Sequence, residues 1–182
     1  MWQKKARFCP LCKADLVSRL IEDRRRLTCE GCSFVLYLNP AAAAATVVLQ
    51  GRQILLIRRK LEPYKGDWTL PAGYEEYDES PAETAVRETK EETGLIVSVQ
   101  GLYDVLYTRD DPRKPGILVV YLCHVVGGTL SAGDDALEAQ FFDISELPEN
   151  IGFRNNRRIL ERLRRELEQD ELTLIRNTEL PE

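Results

Sequence analysis

A stretch of 23 residues constrains this chain more than any other segment. It covers residues 73–95 and reads GYEEYDESPAETAVRETKEETGL. Ser80 is a preferred N-cap residue, Pro81 suits the first helical position, and Glu83 completes a capping box. Gly94 supplies a C-terminal stop. The stretch therefore predicts a helix that begins at Pro81 and ends just before Gly94.

The two sides of this helix carry different side chains. At 100° per residue, the small and β-branched residues fall on one side, which we expect to be buried: Ala82, Ala85, Val86, Thr89 and Thr93. Glu88, Glu91 and Glu92 fall on an adjacent side, where like charges repel by a few tenths of a kcal/mol per pair. Such carboxylates suit Mg²⁺ or Mn²⁺, which also take water and substrate phosphate as ligands. A solvated acidic face is the alternative.

The spacing of the charged residues and glycines in this stretch is specific. It runs through Gly73, Glu79, Arg87, Glu88, Glu91, Glu92 and Gly94. This pattern resembles the signature box of the Nudix hydrolases. Thr89 is the one departure, because the family usually has an aliphatic residue at this position. A threonine methyl group can still face the core, so the departure affects packing more than chemistry.

The resemblance implies roles for individual residues. The box carboxylates Glu88, Glu91 and Glu92 would hold the catalytic metal, and Glu91 or Glu92 would share the role of general base. The carbonyl of Gly73 would be a further metal ligand. Arg87 would pair with Glu79 and thereby orient the box.

A further acidic residue is expected downstream of the box. In many Nudix enzymes a glutamate in a loop just before an aromatic strand binds metal or acts as the base. Glu138, which precedes Phe141 in this sequence, is our candidate, and Asp134 and Asp135 are its rivals.

Two residues upstream of the box are candidates for substrate binding. Arg59 closes an apolar run and can reach a diphosphate as a charge-assisted donor, although a surface arginine is the alternative. Trp68 belongs to a Trp-x-Leu-Pro stretch that precedes the box glycine in the family. Its indole can stack on a base or pack in the core.

Four cysteines near the N-terminus form two CxxC pairs separated by sixteen residues: Cys9, Cys12, Cys29 and Cys32. This spacing matches a tetrahedral Zn²⁺ site of the ribbon type, whose role would be structural because it leaves no open position. Disulfides and a redox-active CxxC are the alternatives. The hairpin between the pairs carries Arg24–Arg26, which can contact nucleic acid or form a solvated turn.

These patterns define two domains. We expect a zinc ribbon over residues 1–38 and a Nudix domain over 39–182, joined at Asn39-Pro40. In the second domain the patterns predict strands on both sides of Gly51, at 96–100, 102–108 and 117–126, and a helix over 155–168. The expected fold class is α/β, a Nudix-type α/β/α sandwich with a mixed sheet.

Composition limits the partners of the protein. The 182 residues carry a net charge of −5, which argues against general affinity for nucleic acid. No apolar run reaches the length of a membrane span, and the N-terminus lacks the apolar stretch of a signal peptide. We therefore expect a cytoplasmic protein without a membrane partner. The resemblance adds a homodimer as the expected assembly.

A zinc ribbon followed by Tyr37-x-Asn39-Pro40 further resembles a subgroup that includes hydrolases of FAD and ADP-ribose, and these are the favoured substrates. Pro112 lies at roughly the position of a proline found in ADP-ribose hydrolases. Oxidised nucleoside triphosphates are an alternative, as is NADH, although the Ser-Gln-Pro-Trp-Pro-Phe-Pro stretch of NADH pyrophosphatases is missing. An alternative of another class is a ligand-sensing regulator whose ribbon binds nucleic acid.

Overall fold

The computed structural model of the chain describes residues 5–110, 115–133 and 135–172. The chain divides into two compact units, and the boundary lies after Pro40. Pro112 and Asp134, which the sequence singled out, lie outside the described residues. Among the described helices, none is long and apolar enough to cross a membrane.

The first unit contains a three-stranded antiparallel sheet. Its strands are β1 (Leu16–Ile21), β2 (Arg24–Cys29) and β3 (Val35–Leu36), in the order β1-β2-β3. The tight turn between β1 and β2 uses Glu22 and Asp23, which both have positive φ angles. The predicted basic hairpin is therefore the β1–β2 hairpin.

The second unit is built on a mixed sheet with the order β10-β5-β4-β9-β8. Its elements are β4 (Ala41–Gln50), β5 (Gln53–Arg59), β6 (Trp68–Thr69), β7 (Ala72–Tyr74), α1 (Pro81–Thr93), β8 (Leu95–Thr108), β9 (Gly116–Gly128), β10 (Ala136–Asp143) and α2 (Arg154–Glu168). Strands β4 and β9 run parallel, whereas the other pairs are antiparallel. The short strands β6 and β7 pair with β5 and β4.

Each face of this sheet is covered by a helix. Side chains alternate along a strand, so Ala45 and Val47 of β4 face one way while Thr46 and Val48 face the other. The first face packs with three buried residues of α2, Ile159, Leu160 and Leu163. The second face belongs to a separate cluster, against which Val86 of α1 packs. The α/β/α sandwich expected from the sequence is confirmed.

Two expectations about this unit were wrong in detail. The segments 96–100 and 102–108 form one strand, β8, because bulges at three places let a single strand stay paired with β9. The buried side of α1 also differs from the expected one. It includes Thr84 and Glu92, whereas Ala82 and Val86 are only partly buried.

Candidate active site

Helix α1 is fixed at both ends by the signals that predicted it. The Ser80 hydroxyl accepts a hydrogen bond from the Glu83 N–H, and the Glu83 carboxylate accepts one from the Ser80 N–H at 2.8 Å. At the other end Gly94 adopts a left-handed conformation with φ 70°, and its N–H donates to the Lys90 carbonyl. The position of the acidic side chains is therefore set by a helix with well-defined limits.

Arg87 lies at the centre of an ion-pair network. Its guanidinium donates to both carboxylate oxygens of Glu79, at 2.6 and 2.9 Å, and to the carbonyl of Tyr74 at 3.1 Å. It also donates to Glu88 at 2.7 Å and to Glu91 at 3.0 Å. The hydrogen bonds from Arg87 lower the pKa of Glu79 to about 2. The expected pairing of Arg87 with Glu79 is confirmed, and it joins the loop before α1 to the helix.

The carboxylates of Glu88 and Glu92 lie against strand β7. A Cβ atom on Gly73 would overlap the carboxylate of Glu88, so only glycine allows this approach. The carboxylate of Glu92 accepts a hydrogen bond from the Ala72 N–H at 2.9 Å. Two acidic side chains of the helix are thus placed directly behind the Ala72–Gly73 backbone.

Burial disfavours the charged form of both carboxylates. Glu92 is only 6% exposed, and burial raises its pKa to about 8, against the effect of the Ala72 hydrogen bond. Burial also raises the pKa of Glu88, although Arg87 opposes the shift. Buried carboxylates of this kind need a positive charge beside them to remain ionised.

The donor set fits a hard divalent cation. Glu88, Glu91 and Glu92 offer carboxylate oxygens, and the carboxylate of Glu88 closely approaches the Cα of Gly73. In the described part of the chain these carboxylates are not gathered as closely as the four cysteines, because Arg87 holds Glu88 and Glu91. An open arrangement suits Mg²⁺ or Mn²⁺, which complete their coordination with water and phosphate.

A pocket of about 160 Å³ adjoins this wall. Its lining comes from β4, β5, β7, β9 and the start of α2, and it includes Ala72, Gly73 and Arg59. The positive charge of Arg59 lowers the pKa of Glu92, which places this guanidinium within electrostatic reach of the buried carboxylate. The lining of the pocket therefore combines a cation with the backbone segment that adjoins the two carboxylates.

Two of the candidate residues occupy other positions than those expected. Trp68 is 7% exposed and packs edge-on against Phe142, with ring centroids 4.7 Å apart, so it is a core residue. Glu138 lies within strand β10 and not in a loop, and its carboxylate pairs with Arg58 at 2.8 Å. The negative charge of its rival Asp135 contributes to the raised pKa of Glu92.

Three further residues of the pocket lining were not predicted from the sequence. Phe153, Asn155 and Asn156 line it from the N-terminus of α2. The Asp110 carboxylate accepts hydrogen bonds from the Arg154 N–H and Nε, both at 2.8 Å, and it anchors this end of the helix. In the sequence, the only sign of a pocket residue here was an aromatic side chain just before an amphipathic helix. Such a position is equally typical of a residue that packs in the core.

In the first unit the four cysteines converge, with all their sulfur atoms within 4.8 Å of one another. The Sγ atoms of Cys9 and Cys32 are 3.8 Å apart, those of Cys12 and Cys29 3.3 Å, and those of Cys12 and Cys32 3.7 Å. A tetrahedron with Zn–S bonds of 2.3 Å has edges of about 3.8 Å. The cysteines are not joined by disulfides, so the donor set and its spacing fit Zn²⁺.

The fold, the box and the pocket agree with comparisons against known proteins. The sequence profile of the NUDIX domain matches residues 39–163. The chain belongs to this family, and it is a Nudix hydrolase.

The proteins that are similar to this chain are named for different substrates. An ADP-ribose pyrophosphatase of Methanocaldococcus jannaschii is 49% identical over 114 residues, which cover 62% of this chain and 68% of that protein. The NAD-capped RNA hydrolase NudC of Vibrio atlanticus is 29% identical over 146 residues, and the match spans only 51% of its length. A crystal structure of a NUDIX hydrolase from Nitrosomonas europaea superposes with a TM-score of 0.85 at 28% identity, covering 93% of this chain and 97% of that one.

Proposed function

We propose that this protein is a divalent-metal-dependent pyrophosphohydrolase that cleaves ADP-ribose to AMP and ribose 5-phosphate. One observation carries the proposal: the Ala72–Gly73 wall of the pocket has the carboxylates of Glu88 and Glu92 directly behind it, while Arg59 lines the same pocket. A diphosphate needs a cation donor on one side and metal-holding carboxylates on the other. The similarity to the Methanocaldococcus jannaschii enzyme supports ADP-ribose over FAD.

The residues of the chain have distinct tasks in this reaction. Glu88, Glu91, Glu92 and the Gly73 carbonyl would hold Mg²⁺ or Mn²⁺, which when bound neutralises phosphate charge and lowers the pKa of a water molecule. The water oxygen forms a bond to one phosphorus while the bridging P–O bond breaks. Glu91 or Glu92 accepts the proton of the water, and Arg59 donates to a phosphate oxygen. Arg87 keeps the box in place through Glu79.

The acidic residue downstream of the box is assigned differently from the sequence-based expectation. The negative charge of Asp135 contributes to the raised pKa of Glu92, whereas the Glu138 carboxylate forms an ion pair with Arg58. We therefore propose Asp135 as a further metal ligand or base, in preference to Glu138. Zn²⁺ in the Cys₄ site would have a structural role, and a homodimer is the proposed assembly. A monomeric mass in light scattering would contradict the dimer.

A second candidate substrate is a nicotinamide dinucleotide. The match to the Vibrio atlanticus NudC extends over 146 residues, more than the NUDIX domain span of 39–163 alone. The likeness to that relative therefore includes sequence outside the domain. The share of NudC that remains unmatched is large, so this candidate ranks below ADP-ribose.

A substrate panel tests the proposal. ADP-ribose, FAD, NADH and 8-oxo-dGTP are incubated with the protein and Mg²⁺ or Mn²⁺, and the mononucleotide products are separated by chromatography. We expect AMP to form fastest from ADP-ribose. Faster turnover of NADH would favour the second candidate. If no compound turns over while one of them still binds, the site senses a ligand, and the regulator hypothesis replaces the enzyme.

A further inference from the structure

The pocket beside the box is lined by two chemically different sets of residues. One is the Ala72–Gly73 backbone, which adjoins the carboxylates of Glu88 and Glu92, and the other is the aromatic side chain of Phe153. Small residues, including Ala43 and Gly116, also line the pocket. We therefore expect a ligand that fills this pocket to combine a charged group with an apolar or aromatic group.

Phe153 has an unusual backbone conformation. Its φ angle is 58° and its ψ angle 132°, a region that bulky side chains rarely adopt. Tyr64, whose φ angle is 66°, lies beside it, with ring centroids 4.6 Å apart. Phe153 lines the pocket, and Tyr64 packs beside it. Residues in rarely populated backbone conformations cluster at active sites and ligand clamps.

The conformation of Phe153 is enforced from both sides. The Gly152 N–H donates to the Trp68 carbonyl at 2.8 Å, which fixes the preceding peptide. The Asp110 carboxylate fixes the following residue, Arg154, through two hydrogen bonds of 2.8 Å. These hydrogen bonds hold the backbone on both sides of Phe153 without any contribution from its ring.

Arg59 lies next to Phe153 in the lining of the pocket. Its guanidinium lies over the Phe153 ring, 5.1 Å from the ring centroid, and its Nε donates to the Pro63 carbonyl at 2.8 Å. The positive charge of the same side chain lowers the pKa of Glu92. A substrate in this pocket would therefore contact the cation and the aromatic ring side by side.

We infer that Phe153 is the aromatic platform for the nucleobase of the substrate, with Tyr64 beside it. This inference rests on the proposed function of the same pocket, and it gives Phe153 the role that the sequence had suggested for Trp68. Asn155 and Asn156 line the same pocket, where their Nδ2 groups donate to the carbonyls of Tyr107 at 3.5 Å and Gly152 at 3.2 Å. The base of the nucleotide then contributes to binding, in addition to the contacts that the pocket makes with the diphosphate.

The test compares the binding of AMP and ribose 5-phosphate, which share a phosphorylated ribose and differ in the base. Calorimetry in the presence of Mg²⁺ gives the ratio of the two dissociation constants. In the wild-type protein we expect AMP to bind at least about tenfold more tightly. Phe153→Gly removes the ring, and glycine adopts a positive φ angle without strain, so the fold is retained. We expect this variant to lose the preference for AMP.

Three further variants sharpen the result. Phe153→Tyr keeps an aromatic ring and should keep the preference, whereas Phe153→Leu keeps only an apolar side chain and should lose most of it. Tyr77→Gly removes a fully exposed aromatic residue from the loop before α1 and should bind AMP as the wild type does. Thermal unfolding of each variant verifies that it is folded.

The outcomes separate this inference from the proposed function. Equal binding of AMP and ribose 5-phosphate by the wild type would overturn the inference. It would also be overturned if Phe153→Gly and Phe153→Leu kept the preference, or if Tyr77→Gly lost it. If ADP-ribose is not hydrolysed but the preference for AMP depends on Phe153, the proposed function fails and the base platform stands.

Discussion

The hydroxyl groups of Thr46 and Thr89 are 2.7 Å apart in the interior, and this contact joins strand β4 to helix α1. Both residues are completely buried. The Thr89 hydroxyl also donates to the Ala85 carbonyl at 2.8 Å. Because a hydroxyl has one proton, Thr46 must be the donor in the contact between the two threonines. The residue that departs from the family's aliphatic pattern is therefore the acceptor of this bond.

The direction of that bond predicts an asymmetry between two variants. Thr89→Val leaves the Thr46 hydroxyl without an acceptor and should lower the free energy of unfolding by about 1–3 kcal/mol. Thr46→Val should cost less, because Thr89 keeps its bond to Ala85. The double variant should recover part of the loss. Urea unfolding measures all three, and strictly additive effects would contradict the account.

The pairing of Glu79 with Arg87 predicts that the free energy of unfolding falls at low pH. The hydrogen bonds from Arg87 lower the pKa of Glu79 from 4.5 to about 2. The stabilisation from this pair is therefore present above pH 4.5 and is lost as the pH falls through about 2. The stability difference between the wild type and Glu79→Gln should shrink over this range in urea unfolding. Glu76→Gln, which removes an exposed carboxylate of the same loop, should show no such trend.

The raised pKa of Glu92 predicts the opposite dependence of stability on pH in the metal-free protein. Burial raises its pKa to about 8, so the folded state holds a proton that the unfolded state releases near pH 4.5. Its contribution to stability is complete below pH 4.5 and is lost as the pH rises through about 8. Glu92→Gln should therefore unfold at a higher temperature than the wild type at pH 9, and the gain should vanish at pH 5.

Glu91→Gln is the control for this prediction, because the Glu91 side chain is 58% exposed. A Glu92→Gln variant that is less stable at pH 9 would show that the carboxylate is not buried as described.

The contact between Gly73 and Glu88 predicts a loss of activity without a loss of fold. A methyl group at residue 73 overlaps the Glu88 carboxylate and must displace it from the wall of the pocket. We expect Gly73→Ala to lower kcat/KM at least about tenfold, because small displacements of catalytic groups are costly. Gly127→Ala, whose new Cβ would be an ordinary 3.8 Å from Ile96, is the matched control. Equal activity of the two variants would contradict the geometry of the site.

The four cysteines predict one Zn²⁺ ion per chain. Metal analysis of the purified protein should find it, and Cys12→Ser should lose it because a structural zinc site needs all four ligands. Since the ion would have a structural role in the first unit alone, ADP-ribose hydrolysis should survive in the Cys12→Ser variant if the NUDIX domain stays folded. Cys123→Ser, which changes a buried cysteine of the second unit, should keep the zinc. A chain free of zinc would contradict the ribbon.

Local signals made helix α1 predictable to the residue. Ser80, Pro81, Glu83 and Gly94 act within one or two turns of the helix, so the sequence contains all the information about its ends. The carboxylates of the box were predictable for the same reason, because the spacing of residues on a helix fixes which of them share a side.

Features that depend on tertiary contacts were not predictable. Glu92 is buried where helix α1 meets strand β7, and its carboxylate accepts a hydrogen bond from Ala72, twenty residues earlier. Helical spacing alone groups Glu92 with Glu88 and Glu91 and does not predict this burial. Trp68 lies in the core because Phe142 packs against it from a distant strand. The backbone conformation of Phe153 depends on Asp110 and Trp68, which lie far from it in the sequence.

The central claim is that the buried carboxylates beside Gly73 hydrolyse ADP-ribose with the help of a divalent ion. The most direct test is the rate of AMP formation from ADP-ribose with Mg²⁺, measured for the wild type and Glu92→Gln. We expect turnover by the wild type and a fall of at least about a hundredfold in kcat for the variant. Equal rates for the two proteins would contradict the assignment of the site.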